Sequence, residues 1–241
     1  LEDSVLDKIP IGKVWGVGKR LNMFFSTHGI QTARELRDAD SKWIQKKISI
    51  TAEKMVKELR GTRCMNIDGE RPSKKSICTS RTFGKMVKKK DAIESSLSMY
   101  TARCAEKLRG QNSYANSAYV FISTNPFRKD LKQYSNSMQI KFPVATDDTG
   151  EMIAYILSAF RKIYKLGYQY KRVGVVLNEI VSQGQIQENL FDSVNRRQRK
   201  KLILAMDDIN KKMGRDVVRY ASQGYSKKWK LKQQRLSPCY T

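Results

Sequence analysis

The chain has 241 residues, with 47 Lys and Arg against 23 Asp and Glu, for a formal net charge of +24. Apolar residues make up 40% of it, enough for packed cores, and the length suits one or two domains. The absence of any run of about 18 apolar residues excludes a transmembrane helix, and the acidic opening Leu1-Glu2-Asp3 predicts no signal peptide. The expected class is a soluble, intracellular protein whose charge is matched by a polyanion, with nucleic acid the usual one.

Residues 1–62 carry 12 basic and 8 acidic side chains, 71–182 carry 20 and 8, and 183–241 carry 14 and 5. In each part the charge is interleaved with periodic apolar residues, so it belongs to folded surfaces rather than to a low-complexity tail.

The first segment, 1–62, reads as a small all-α module. Trp15-Gly16-Val17-Gly18-Lys19-Arg20 is followed by Leu21, Phe24 and Phe25 at helical spacing, the pattern of a helix-hairpin-helix. The two glycines allow a tight turn and close approach to a partner. The helix that follows offers free N–H groups and the positive end of its dipole to a phosphate. Gly16, Val17, Gly18, Lys19 and Arg20 are therefore candidate contacts to the DNA backbone, read without sequence preference. Short helices are predicted over 32–39 and 40–47, and one from an N-cap at Thr51 to Arg60, ended by Gly61. His28 lies in a predicted surface turn.

Residues 63–75 lack periodicity, contain Gly69, Pro72 and Ser73, and read as a linker. The next segment, 76–182, alternates strands and helices. Strands are predicted at 76–83, 118–124, 137–142 and 172–179, with one helix opened by an Asp91-x-x-Glu94 capping box and stopped at Gly110 and a second over about 150–165. The order β-α-β-β-α-β is that of a ferredoxin-like domain, with helices on one sheet face and the other face open. With Val173, Val175 and Leu177 turned to the helices, Arg172, Gly174, Val176 and Asn178 face outward, as do Ser137, Gln139 and Lys141. This outward set lacks the aromatics of base-stacking sheets. It predicts a duplex-backbone contact made by Ser76, Ser80, Arg81, Thr82, Gln139 and Lys141.

In the third segment, 183–241, Gln187 followed by Leu190 and Phe191 is a short peptide suited to a hydrophobic cleft on a partner. A basic amphipathic helix over 196–213 carries Leu202, Ile203, Met206, Ile209 and Met213 on one face, Val217–Ala221 is a strand candidate, and a basic stretch around Trp229 follows. The fold class is thus α+β: an all-α helix-hairpin-helix module, a ferredoxin-like β-α-β-β-α-β domain and an α/β C-terminal tail.

Catalytic and metal-ligating constellations are not visible. No phosphate-binding glycine loop or nucleophile elbow occurs. Cys64, Cys78, Cys104 and Cys239 form no CxxC pair, and His28 is the single histidine. The adjacent carboxylates Asp147-Asp148 and Asp207-Asp208 lie in basic surroundings, whereas two-metal phosphoryl transfer needs carboxylates converging on one site.

Several blocks together resemble the C-terminal part of the UmuC family of Y-family translesion DNA polymerases, the catalytic subunits of bacterial DNA polymerase V. They are Val14-Trp15-Gly16-Val17-Gly18, Glu58-Leu59-Arg60-Gly61, Ser80-Arg81-Thr82-Phe83-Gly84, Ala105-Glu106-Lys107-Leu108-Arg109, Asn189-Leu190-Phe191-Asp192 and Leu236-Ser237-Pro238 with Tyr240-Thr241. The resemblance implies a thumb at 1–62 on the primer–template backbone and a little finger at 76–182 with its sheet in the major groove. It implies a sliding-clamp-binding motif at Gln187, Leu190 and Phe191, with Glu188 where that motif usually has Leu. It implies a tail that serves a UmuD′-like subunit and the recombinase filament. It further implies that the palm, the fingers and their magnesium-binding carboxylates lie outside this segment, so that the chain as given holds DNA in the bacterial cytoplasm without polymerising.

Overall fold

Two units emerge from the chain in the computed structural model, Leu1–Arg71 and Pro72–Thr241. The residues described are 2–64, 73–185, 189, 192, 194–225, 229 and 237.

The first unit is helical: α1 (Glu2–Leu6), α2 (Lys19–Thr27), α3 (Ala33–Asp38), α4 (Ser41–Lys47) and α5 (Ile50–Leu59). Ile11, Val17, Phe25, Ile30, Leu36, Ile44 and Val56 form its core. Three of these helices, α3, α4 and α5, start on side-chain acceptors. Thr32 and Glu35 form a reciprocal capping box, and Asp40 accepts from the Lys42 N–H. The predicted cap at Thr51 moves to Ser49, whose hydroxyl accepts from the Ala52 N–H at 3.3 Å, so α5 starts earlier and Thr51 lies inside it. The Arg60 guanidinium donates to the carbonyls of Arg37 and Ala39 at 2.7 and 2.6 Å, covering the otherwise orphaned end of α3.

The second unit follows the predicted order: β1 (Ile77–Val87), α6 (Lys90–Arg109), β2 (Ser113–Thr124), β3 (Ser135–Thr146), α7 (Thr149–Ile163) and β4 (Tyr170–Ser182), then α8 (Arg196–Met213). The four strands pair antiparallel in the order β1-β4-β2-β3, so the last strand enters between β1 and β2. Side-chain alternation along a strand places Val173, Val175 and Leu177 of β4 beside Ala118, Val120 and Ile122 of β2 on one face. All six are fully buried. Ile93, Leu97, Cys104 and Leu108 of α6 and Met152, Ile156 and Phe160 of α7 complete that core.

Three local expectations change. The Asp91…Glu94 capping box does not form, because α6 begins at Lys90 after an N-cap at Lys89 that makes no side-chain bond. Glu94 turns instead to Arg161 at 2.9 Å. The segment 217–221 is not a strand. The Asn210 amide takes both backbone groups of Val218, at 2.8 and 2.9 Å, so those groups are unavailable to a neighbouring strand. Finally, of the apolar face predicted for α8 only Ile203 is buried, while Leu202, Ile209 and Met213 are exposed. Polar contacts hold this helix. Arg109 grips Asp207 through two bonds of 2.6 and 2.8 Å and donates to the Asp147 carbonyl at 2.8 Å. Arg196 reaches Glu151 at 3.2 Å and Arg199 reaches Asp148 at 3.3 Å. A bidentate guanidinium–carboxylate pair fixes geometry as well as adding energy.

Candidate nucleic-acid interface

The strand registers define which side chains share the face of the sheet opposite the helices. Ser80 pairs with Gly174 and Thr82 with Arg172. Gly174 pairs across its other side with Phe121, and Val176 with Tyr119. Phe121 in turn pairs with Ser137, Tyr119 with Gln139, and Ser117 with Lys141. The open face therefore carries Ser80 and Thr82, Arg172, Tyr119 and Phe121, and Ser137, Gln139 and Lys141. No carboxylate occupies these positions.

Its centre is built around a missing side chain. A Cβ on Gly174 would lie 2.4 Å from Phe121 Cζ and 2.4 Å from Ser80 Cβ. Only glycine lets the Phe121 ring lean across β4 at that point. The Arg172 guanidinium sits over the same ring, 5.6 Å from its centroid, and donates through Nη2 to Ser80 Oγ at 3.0 Å. Arg172 is exposed, and among the described residues it has no acidic partner. Its plane is set by a ring and a hydroxyl while its charge stays unneutralised, the arrangement in which arginine best meets a phosphate. Lys141 and Gln139 are exposed on β3 of the same face.

The structure places the residues named from the sequence as follows. Ser80, Thr82, Gln139 and Lys141 lie on the open face, and Ser76 is exposed just ahead of β1. Arg81 is exposed but alternates with Ser80 and Thr82. It pairs with the buried Val173 and stands on the helix side of the sheet. Tyr119 and Phe121, with ring centroids 6.1 Å apart, are the aromatics that the sequence reading did not find on this face. The strand was predicted from Ala118, so the parity of its outward residues was not followed across the sheet. Phe121 lies over Gly174 and under Arg172, which leaves it poorly placed to stack a base.

In the first unit, Gly16 adopts a left-handed φ of +94°, where a Cβ would sit 3.3 Å from Met55 Sδ. Val17 is buried and holds the turn to the core. Gly18 is the N-cap of α2, with no side-chain cap and no acidic residue in the first turn. The free N–H groups at that end are flanked by Lys19 and Arg20, both exposed. Helix N-termini of this kind favour anions. The peptide residues Gln187, Leu190 and Phe191 lie outside the described residues.

Among the described residues, no three His, Cys, Asp or Glu side chains gather as metal ligands. Asp148 caps α7 and binds Arg199, and Asp207 binds Arg109, so the two carboxylate pairs are engaged with helix and guanidinium groups. This donor set does not suit the magnesium ions of phosphoryl transfer.

An open antiparallel sheet with a cationic, carboxylate-free face, joined to a helical unit with a cationic helix start, defines a class of basic two-unit α+β proteins, and comparison with known proteins narrows it. Residues 74–190 match the impB/mucB/samB family C-terminal domain, and residues 200–241 match a domain of unknown function (DUF4113). Residues 74–190 thus carry the C-terminal domain of the impB/mucB/samB family, and nearly the whole chain is similar to proteins of that family. It is 36% identical over 233 residues to Protein ImpB of Salmonella typhimurium, covering 96% of this chain and 55% of that protein. It is 35% identical over 238 residues to Protein UmuC of Salmonella typhimurium strain LT2, covering 98% of this chain and 56% of that protein. DNA polymerase IV of Desulfatibacillum aliphaticivorans is 25% identical over 219 residues, covering 90% of this chain and 54% of that protein. The chain thus spans about half the length of the curated relatives it matches.

Proposed function

We propose that this chain is the DNA-gripping C-terminal region of an error-prone, Y-family translesion polymerase acting in SOS mutagenesis. It holds primer–template DNA for an active site elsewhere in the full subunit and does not polymerise by itself. In this reading the first unit is a thumb built on a helix-hairpin-helix, and the second is a little finger whose β-α-β-β-α-β chain order forms a sheet in the order β1-β4-β2-β3 rather than the 4-1-3-2 of a ferredoxin-like domain. The observation that carries it is Arg172, an unneutralised guanidinium held over Phe121 on a sheet face without carboxylates. Gly16, Val17, Gly18, Lys19 and Arg20 in the first unit, and Ser80, Thr82, Gln139 and Lys141 in the second, take backbone phosphates and neighbouring polar groups. Ser76 adds a contact just ahead of β1, whereas Arg81, on the helix side of the sheet, takes no part in this grip. A backbone grip reads no sequence and releases counterions.

The test is an anisotropy titration of the chain on primer–template duplex and on single-stranded DNA at several salt concentrations. Four phosphate contacts, from Lys19, Arg20, Lys141 and Arg172, give an expected slope of log K against log salt of about −3.6 on duplex. Duplex is expected to bind tighter than single strand. A flat salt response would overturn the reading.

A second reading is favoured by the exposed Leu202, Ile209 and Met213 of α8. There the chain serves mainly as an interaction module for the sliding clamp, a UmuD′-like subunit and the recombinase filament. The clamp contact is proposed at Gln187, Leu190 and Phe191. Replacing Leu190 and Phe191 by Ala is expected to abolish clamp binding in a surface-capture assay and to leave duplex affinity within about twofold, a change below about 0.5 kcal/mol. Undetectable clamp binding by the parent chain would remove the motif.

A further inference from the structure

On the helix side of β1 lies a cavity of about 710 Å³ lined by the edge strand, one face of α6 and Trp229. Thr79, Tyr100 and Trp229 line it, and each is more than nine-tenths buried. Among the described residues, Thr79 Oγ1, Tyr100 OH and Trp229 Nε1 are all cut off from solvent and have no hydrogen-bond partner. Buried polar atoms in proteins are almost always paired, so three orphans around one cavity call for an explanation. Trp229 packs edge-on against Tyr100, with centroids 5.6 Å apart, and against Phe83 at 6.2 Å. Its carbonyl accepts from the Gly84 N–H at 3.2 Å, so the indole is seated against β1 from both ends.

The chemistry of the lining selects the sign of a ligand. An indole N–H only donates, and hydroxyls donate readily to an anion. Arg81, Lys107 and Arg215 add donors and charge at the walls, with no acidic partner among the described residues. The two carboxylates present, Glu106 and Asp216, are both bound by Arg103, at 2.6 and 2.7 Å. All the unsatisfied groups can donate and the wall charges without a partner are cationic, so an acceptor-rich anion completes them.

We propose that this cavity is a second anion site, independent of the open sheet face, that takes a phosphate group. Arg81 and Lys107 supply the charge, and Tyr100 OH and Trp229 Nε1 donate to its oxygens. This gives Arg81 a role that its position off the open face otherwise leaves without a ligand. The phosphate comes either from solution or from a nucleic-acid strand end.

A variant carrying Trp15→Phe and Trp43→Phe retains Trp229 as its tryptophan reporter, since the chain has three. Its emission is followed while inorganic phosphate replaces chloride at constant ionic strength, and again with one oligonucleotide bearing or lacking a 5′-phosphate. The expected result is a saturable change with inorganic phosphate or with the phosphorylated strand, and the arm that saturates identifies the source. Tyr100→Phe keeps the ring against Trp229 and removes only the hydroxyl. It is expected to weaken binding about tenfold, as is Arg81→Ala with Lys107→Ala. Emission that follows the chloride control in both arms overturns the site. A response to an acidic peptide but not to phosphate also overturns it, in favour of a carboxylate-bearing partner. Lys141→Glu with Arg172→Glu should leave this response unchanged, so failure of the sheet-face reading and failure of this one are separable.

Discussion

Replacing Gly174 by Ala is expected to destabilise the second unit by about 3 kcal/mol, at the upper end of the usual cost of overpacking. The added Cβ meets Ser80 Cβ and Phe121 Cζ at 2.4 Å and Phe121 Cε1 at 2.7 Å. Real carbon contacts do not come this close, so something must move. Phe121 has room to rotate outward, because the open face is its solvent side. Ser80 Cβ has no such freedom, since it is fixed to the backbone of β1, and β4 lies between β1 and β2 with neighbours on both sides. The strain therefore passes into the β1–β4 pairing. Chemical denaturation of the single variant, of Phe121→Ala and of the double variant forms a cycle that separates the two clashes. Phe121→Ala should recover part of the loss and leave the share that belongs to Ser80. A Gly174→Ala variant within about 0.5 kcal/mol of the parent, the usual scatter for harmless surface changes, would show that the strand gives way and that Gly174 is dispensable.

The same position shows what was and was not legible in the sequence. Strand and helix order in the second unit follows from hydrophobic period alone, and α8 occupies the predicted residues 196–213. Alternation within one strand likewise puts Arg172 and Gly174 together on the outward face of β4. The partners of Gly174 depend on register between strands far apart in the chain. Ser80, Phe121 and Arg172 come from β1, β2 and β4, and no local pattern sets those pairings. The signal that was available is a glycine within an apolar strand, which marks a close approach by a neighbouring group. Arg81 illustrates the converse. It was grouped with Ser80 and Thr82 because they are adjacent in sequence, yet adjacency in a strand means opposite faces. The apolar set of α8 departs from its pattern for another reason. Helical period predicts a buried stripe, but Arg109, Arg196 and Arg199 dock this helix through carboxylates on β3–α7 and on α8 itself. Guanidinium–carboxylate pairing between distant residues leaves no periodic trace. The caps divide in the same way. Asp40 and the Thr32–Glu35 box act as local caps, whereas Asp91 and Glu94 satisfy the box pattern while Glu94 is drawn to Arg161, 67 positions along the chain.

Arg172→Glu is expected to be the single substitution most harmful to DNA binding through the second unit. Arg172→Ala removes one charge-assisted contact, worth about tenfold in affinity, and should lower the salt slope by about 1. Glutamate adds repulsion between like charges on a face that otherwise lacks carboxylates, and about a hundredfold loss is expected at low salt, shrinking as salt screens it. Arg172→Lys separates charge from geometry. Lysine keeps the charge but cannot lie flat over Phe121 while also bonding Ser80 and a phosphate, so its affinity should fall between those of the parent and the alanine variant. Arg81→Glu serves as the comparison. It makes the same change in net charge on the other side of the sheet, so any equal loss would mean that bulk charge, rather than the placed guanidinium, holds the DNA. Duplex affinity measured at two salt concentrations across these four variants distinguishes the alternatives, and parent-like binding by Arg172→Glu would sink the sheet-face interface. The stability of Arg172→Glu should stay near that of the parent, because the side chain is exposed and covers Phe121 from outside. A fall in affinity without a fall in melting temperature is then attributable to the lost phosphate contact. Gly174→Ala should show both falls together, since displacing Phe121 removes the ring over which the Arg172 guanidinium is held.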